Sequence, residues 1–119
     1  MNSATLCGRS ILVIEEEPIV ALQLEDRLYQ AGATVLGAGK LREALHLAEY
    51  PALSAAVVNL KLGDDKTTAV CDRLSSLGVP FMFYTRYDAT DARQTWPGAP
   101  VVSKADDSSL VVRTVAEML

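Results

Sequence analysis

The sequence predicts an α/β domain, a mostly parallel sheet with helices on both faces. Three observations predict it. Short apolar runs without alternation, such as ILVI at 11–14 and AAVV at 55–58, suit strands buried on both faces of a parallel sheet. Longer stretches with helical spacing separate such runs, so strand and helix alternate five times along the chain. Half of the 119 residues are apolar and 22% are charged, which supplies one core and argues against disorder. Right-handed crossovers narrow the topology further.

The elements follow in order. Residues 1–9 read as an N-terminal tail and 10–119 as one domain. Residues 11–14 form the first strand, closed by Glu15, Glu16 and Glu17. Pro18 pre-sets the first turn of a helix, where its missing N–H costs nothing. The glutamates before it suit a helix N-terminus. That helix runs to about Ala31, with Ile19, Leu22 and Tyr29 supplying its apolar face, and Gly32 stops it. Val35 and Leu36 mark a second strand. Residues 40–49 form a second helix with Leu41, Ala44, Leu45 and Ala48 on one face. His46 falls off that face and reads as a solvated residue, not a ligand. Pro51 ends the helix.

Residues 55–58 are the third strand, followed by a loop with Gly63, Asp64 and Asp65. The third helix, 67–77, has Val70, Leu74 and Leu77 spaced for burial, and Gly78 terminates it. Residues 79–84 are the fourth strand, closed by Thr85. A fourth helix at 88–94 is cut off by Trp96, Pro97 and Gly98, so the segment 87–98 is expected to be short, irregular or mobile. Residues 99–102 are a short fifth strand ended by Ser103 and Lys104. Asp106 is expected to cap the last helix, 107–118. Neither linker nor repeat interrupts this order.

Composition excludes several function classes. A net charge of −4 is wrong for a general binder of nucleic-acid backbone or of an anionic membrane. No apolar stretch approaches the ~18 residues of a membrane span. No apolar run before Ile11 could serve as a signal segment, so a cytoplasmic protein is expected. Cys7 and Cys71 are too few and too far apart for a metal cluster or a disulfide framework.

Four strands end in polar residues capable of chemistry: Glu15 and Glu16, Asn59, Thr85, and Lys104. In open α/β sheets, sites form at the C-terminal edge of the strands, where the strand order reverses. Buried strands do not need such ends, and their coincidence is stronger evidence than any one of them. The segments ILVIEEEP, VVNLKLG, VPFMFYTRYD and VVSKADD, in this order and spacing, resemble the receiver domain of two-component response regulators. The resemblance runs from Ile11 to the C-terminus. It implies the flavodoxin-like receiver fold, a doubly wound five-stranded parallel sheet in the order 2-1-3-4-5. It also implies a phosphoryl group taken from a histidine kinase onto an aspartate after strand three, with Mg²⁺ on an acidic pair after strand one. On this pattern Glu15 and Glu16 stand at the acidic pair and Asn59 at the phosphoacceptor. Thr85 matches the switch hydroxyl, Lys104 the site lysine, and Lys61 the residue whose backbone carbonyl completes the metal shell.

The departures carry more information than the matches. Asn59 offers a neutral amide where a carboxylate would attack phosphorus, and an amide is a poor nucleophile that cannot form an acyl phosphate. Glu16 stands where the family usually has Asp, and its extra methylene displaces a ligand of a metal that demands octahedral geometry. Lys61 brings an ammonium within reach of the cleft. Ala105 replaces the usual proline after the lysine, which disfavours a cis peptide there, and Arg86 stands where small residues are frequent. Losing one carboxylate also removes like-charge repulsion that invites a cation. A substitution of Asp by Asn in the laboratory would look the same at position 59, but Glu16 and Ala105 point to natural degeneration.

The expected function is therefore that of a single-domain, non-enzymatic signalling protein, a degenerate receiver that acts by protein contact. Its partner would be a histidine kinase or a downstream regulator. No cofactor is expected, and Mg²⁺ would bind weakly or not at all, with Glu15, Glu16, Asn59 and the Lys61 carbonyl as the candidate ligands. The chain stops at the last helix, so no output domain is expected. That helix carries Leu110, Val112, Val115 and Met118, more apolar residues than one packed face needs, and with the adjoining fourth-helix region it is expected to pair with a partner or a second copy, the first helix being the alternative surface. The alternatives are a conventional Mg²⁺-dependent phosphoacceptor whose Asp was changed to Asn59, and an enzyme of flavodoxin-like fold. EEEP occupies the place of a glycine-rich phosphate loop, which disfavours nucleotide or flavin chemistry.

Overall fold

The computed structural model describes residues 5–86 and 88–119, so residues 1–4 of the expected tail and Tyr87 of the 87–98 segment lie outside the described residues. The elements are β1 (Ser10–Ile14), α1 (Pro18–Gln30), β2 (Thr34–Ala38), α2 (Leu41–Leu47), β3 (Ala55–Val58), β4 (Lys61–Leu62), β5 (Asp65–Lys66), α3 (Thr68–Ser76), β6 (Phe81–Thr85), α4 (Thr90–Thr95), β7 (Val101–Ser103) and α5 (Ser109–Met118). Five strands make one parallel sheet in the order β2-β1-β3-β6-β7. This is the expected 2-1-3-4-5 arrangement, with a two-stranded antiparallel ribbon, β4 and β5, inserted after β3. The ribbon was not foreseen. Gly63 makes it possible, because it turns the chain at φ +63°, where a side chain would be strained.

The sheet is buried on both faces because successive strand side chains alternate between two cores. Ile11, Val13, Ala55, Val57, Met82 and Val102 face α1 and α5, where Leu24, Leu28, Val111 and Val115 complete the packing. Leu12, Ile14, Ala56, Val58 and Phe83 face α2 and α3, against Ala44, Val70, Cys71 and Leu74. The α4 helix is six residues long and has no buried residue. Ala92 and Trp96 hold that segment to the second core, and the Trp96 ring meets Phe81 edge-on with centroids 5.4 Å apart.

Helix faces differ from the expectation in four places. In α1 the buried residues are Leu24 and Leu28, one turn apart, with Val20 packed on the same stripe. Ile19, Leu22 and Tyr29 lie on the opposite side and are 73%, 67% and 72% exposed, so the expected apolar face is the solvent face. Leu77 lies past the end of α3 and is 42% exposed. In α5, Val115 is fully buried, while Leu110, Val112 and Met118 are half-buried against the core. The breadth of the α5 apolar set comes from packing between the sheet and α1, and Val115 is not available to a partner. At the start of α5 the supporting carboxylate is Asp107, not Asp106: it accepts from the Ser109 backbone N–H at 3.0 Å. That bond holds the Asp107 carboxyl below its ordinary value.

The N-terminal segment also departs from a simple tail. Leu6 is 1% exposed and belongs to the core under α1 and α5. Its backbone N–H bonds to the carbonyl of Ala31 at 2.8 Å, which ties the segment to the C-terminus of α1. Leu6→Ala is expected to lower unfolding stability by about 2–5 kcal/mol, as for other buried leucines; a change near zero in urea denaturation would mean that the segment is a free tail. The cysteines differ in the same way. Cys7 is exposed, whereas Cys71 is buried, and burial pushes its thiol up to about 12. Alkylation of the native protein at neutral pH is expected to label Cys7 alone, with Cys71 reacting only after denaturation.

Candidate functional site

Parallel pairing brings the strand ends to one edge. Ile14 pairs with Val58, and the Asn59 backbone N–H continues the ladder to the Ile14 carbonyl at 3.0 Å. On the other side Thr85 pairs with Ser103, and the Lys104 N–H bonds to the Thr85 carbonyl at 3.0 Å. Glu15, Asn59 and Thr85 thus emerge at the ends of adjacent strands, and all three are buried. Lys104 enters from the loop after β7, with its side chain only 6% exposed.

The centre of the cleft is an ion pair. Lys104 Nζ donates to Glu15 Oε1 at 2.7 Å, and the Glu15 side chain is 2% exposed. The same ammonium reaches Glu17 Oε1 at 3.4 Å. Glu17 Oε2 in turn accepts from Arg86 Nη2 at 2.8 Å. The second Glu15 oxygen, Oε2, accepts from the Glu17 backbone N–H at 3.1 Å. The cations and carboxylates therefore run as a chain, Glu15 to Lys104 to Glu17 to Arg86. It begins in the dry interior and ends at the surface.

The other expected residues are placed differently. Glu16 is turned out of this chain, and its carboxylate accepts from the backbone N–H of Gly63 at the ribbon turn. Asn59 Oδ1 accepts from the Leu60 backbone N–H at 3.0 Å. The Asn59 carbonyl accepts from the Thr67 hydroxyl at 2.8 Å, which fastens the start of α3 to the end of β3. Lys61 is exposed on β4 and, with Lys66, lines a neighbouring cleft between the ribbon and α4. Asp64 and Asp65 are exposed at the ribbon, outside the cleft, as their loop position suggested. Glu17 and Thr67 are the members that sequence reasoning missed. The third glutamate of EEEP was legible as a helix-start residue, but nothing in the run says that it turns back towards a lysine 87 positions away.

Mg²⁺ is the ion that the resemblance implies, and the donors do not fit it. Mg²⁺ asks for oxygen ligands in near-octahedral array, with one or two carboxylates available. Here the Glu15 carboxylate is engaged by the Lys104 ammonium, Glu16 is engaged by Gly63, and Asn59 is a neutral amide. Among the described residues, no three His, Cys, Asp or Glu side chains gather in a way that could hold a metal ion.

Burying two charges costs several kcal/mol each, and their attraction offsets this only while both partners are present. Lys104→Met leaves Glu15 unpaired and is expected to cost about 3–5 kcal/mol. Adding Glu15→Gln should recover a large part of that loss. Urea denaturation of both single variants and the double variant measures the coupling; a value under about 0.5 kcal/mol would mean that the two groups are independent.

No protein-family model matches the sequence. Over 81 residues the chain is 37% identical to the phyllosphere-induced regulator PhyR of Methylorubrum extorquens, a match that covers 65% of this chain and 30% of PhyR. The chain thus spans less than a third of that relative's length. Among solved structures, a response regulator receiver protein from Sinorhizobium medicae superposes with a TM-score of 0.83 at 18% identity, covering 92% of this chain and 93% of the other. The response regulator PhyR from Brucella abortus superposes with a TM-score of 0.75 at 22% identity, covering 97% of this chain and 49% of that protein. Five parallel strands in this order, a polar cleft at their C-terminal edge and these superpositions lead to one conclusion: the chain folds as a response regulator receiver domain.

Proposed function

We propose that this chain is a receiver-type signalling module that works by contact with a protein partner and carries no aspartyl phosphate at residue 59. The partner class is a histidine kinase or a downstream regulator of the same signalling system, in the cytoplasm. The similarity to PhyR, named as a regulator, and to receiver domains supports the signalling role. The observation that carries the rest is the Glu15–Lys104–Glu17–Arg86 chain beside a neutral Asn59. Phosphoryl transfer to an acceptor needs a nucleophile, and the amide lacks one. It also needs cations free to take up the charge that develops on the phosphoryl oxygens. Lys104 is already held by two carboxylates, and Arg86 by one of them. The cleft supplies its own counter-charges, so a single conformation is held without a phosphoryl group, and no reaction is assigned to it.

Treatment with a small phosphodonor in the presence of Mg²⁺, followed by intact-mass and peptide mass spectrometry, tests this reading. No phosphoryl gain on residue 59 is expected, and calorimetric titration should find no millimolar Mg²⁺ affinity. Asn59→Asp restores a carboxylate but leaves Lys104 engaged, so Mg²⁺ affinity should rise further when Glu16→Asp is added. A stable phosphoryl group on residue 59 of the unaltered chain would defeat the proposal.

A further inference from the structure

A second surface lies on the far side of α1, away from the strand-end cleft. A groove of about 490 Å³ runs between the solvent face of α1 and β2, lined by Leu22, Glu25, Asp26, Tyr29, Thr34 and Val35. Leu22 and Tyr29 are about two-thirds to three-quarters exposed, although they are large and apolar. Two turns apart on one helix, they face the same way. They form an apolar wall with no partner among the described residues.

The floor of the groove is a sheet edge. Among the described residues β2 is the outermost strand on its side, bonded to β1 alone. The ladder to β1 uses the Thr34 N–H, which bonds to the Arg9 carbonyl at 2.8 Å, and the Ala38 carbonyl, which accepts from the Glu15 N–H at 3.0 Å. In a parallel pair the bonding residues alternate, so Thr34, Leu36 and Ala38 turn their backbone groups inward, and Val35 and Gly37 turn theirs outward. An edge of this kind is a template for one more strand. Gly37 has a further property. The Glu25 carboxylate lies so close that a Cβ at Gly37 would meet Glu25 Oε2 at 2.6 Å. Glu25 therefore rests on the open edge as a carboxylate available to an incoming cation.

We propose that β2 and α1 form a docking groove for an extended peptide segment of a partner protein, one whose every second residue is by turns apolar and basic, so that both kinds lie on the face of the strand turned to α1. The segment adds to β2 as an edge strand, bonding to the outward backbone groups of Val35 and Gly37. On the face turned to α1, its apolar side chains lie against Leu22 and Tyr29 and its basic side chains, two residues along the strand from them, pair with Glu25 and Asp26. Backbone pairing supplies the affinity in this mode, and side-chain pockets supply the selectivity. Charge complementarity selects the occupant: the lining holds two carboxylates and no lysine or arginine. The surface is separate from the strand-end cleft, so this inference holds whichever way residue 59 behaves.

The probe is a capped Val-Ser-Lys-Ser-Val-Ser-Lys peptide, which puts Val and Lys on the same face of a strand, titrated into the full chain and followed by amide chemical shifts and amide exchange. Val35 and Gly37 are expected to shift and to exchange at least fivefold more slowly. Glu25→Lys with Asp26→Lys should weaken binding at least tenfold, and Tyr29→Ala should weaken it with the fold intact. The same peptide with alternate backbone amides N-methylated should not bind. Binding that survives N-methylation, shifts confined to another surface, or no binding at millimolar peptide would each overturn the proposal. Dimerisation of the chain through β2 in sedimentation, without peptide, would make a second copy the occupant and would overturn it too.

Discussion

The constraint on which this structure depends is that β1, β3 and β6 are covered on both faces. A strand covered on both sides has no room for an unpaired polar side chain, because such a group costs about 1–3 kcal/mol without its hydrogen bonds. Polar chemistry is therefore driven to the strand ends. Parallel pairing puts all the C-terminal ends on one edge, so residues far apart in sequence converge. Glu15, Asn59, Thr85 and Lys104 come together for this reason. The two helical layers follow from the same constraint, since each face of the sheet needs its own cover.

Inside the cleft, the energetics turn on charge balance. A receiver cleft that binds a divalent cation must hold excess negative charge. Here Glu15 and Glu17 face Lys104 and Arg86, so the two carboxylates are matched by two cations along the chain of contacts. Its interior half is buried, where water cannot screen it, and its outer half is exposed, where a pair contributes little. The weight of the network therefore rests on Glu15 and Lys104. Glu17 and Arg86 orient its outer end. Glu16 has been released from the cleft and holds the ribbon turn instead.

The strand-end cleft and the β2 edge differ in kind. The strand-end cleft is polar, internally satisfied and partly closed. The β2 edge has outward backbone groups, exposed apolar side chains and uncompensated carboxylates beside it. Small modules that act by contact need a surface whose groups are not already paired within the fold, and the second surface meets that condition. In the last helix Val115 is spent on the core, while Leu110, Val112 and Met118 are packed in part on the sheet and α1 and remain half-buried.

Sequence pattern alone determined the two-sided burial and the edge at which polar residues meet, because these depend on short-range pattern; the strand order came with the resemblance to receiver domains, since crossover handedness only narrows the topology. The sequence also determined that residue 59 has no carboxylate, since that is a matter of residue identity. Tertiary structure decided the rest. Spacing in α1 allowed two apolar stripes, and only the position of the sheet selected Leu24 and Leu28 over Leu22 and Tyr29. The EEEP run contained three carboxylates of similar reach. Which of them meets Lys104 depends on where each backbone leaves β1, and that set Glu15 and Glu17 toward the lysine and Glu16 toward the ribbon. Leu6 looked like part of a tail because nothing local marks it; a core position created by α1, α5 and the sheet drew it in. Local pattern constrains the backbone, but the choice among equivalent side chains is made by packing between distant elements, which no short window of sequence contains.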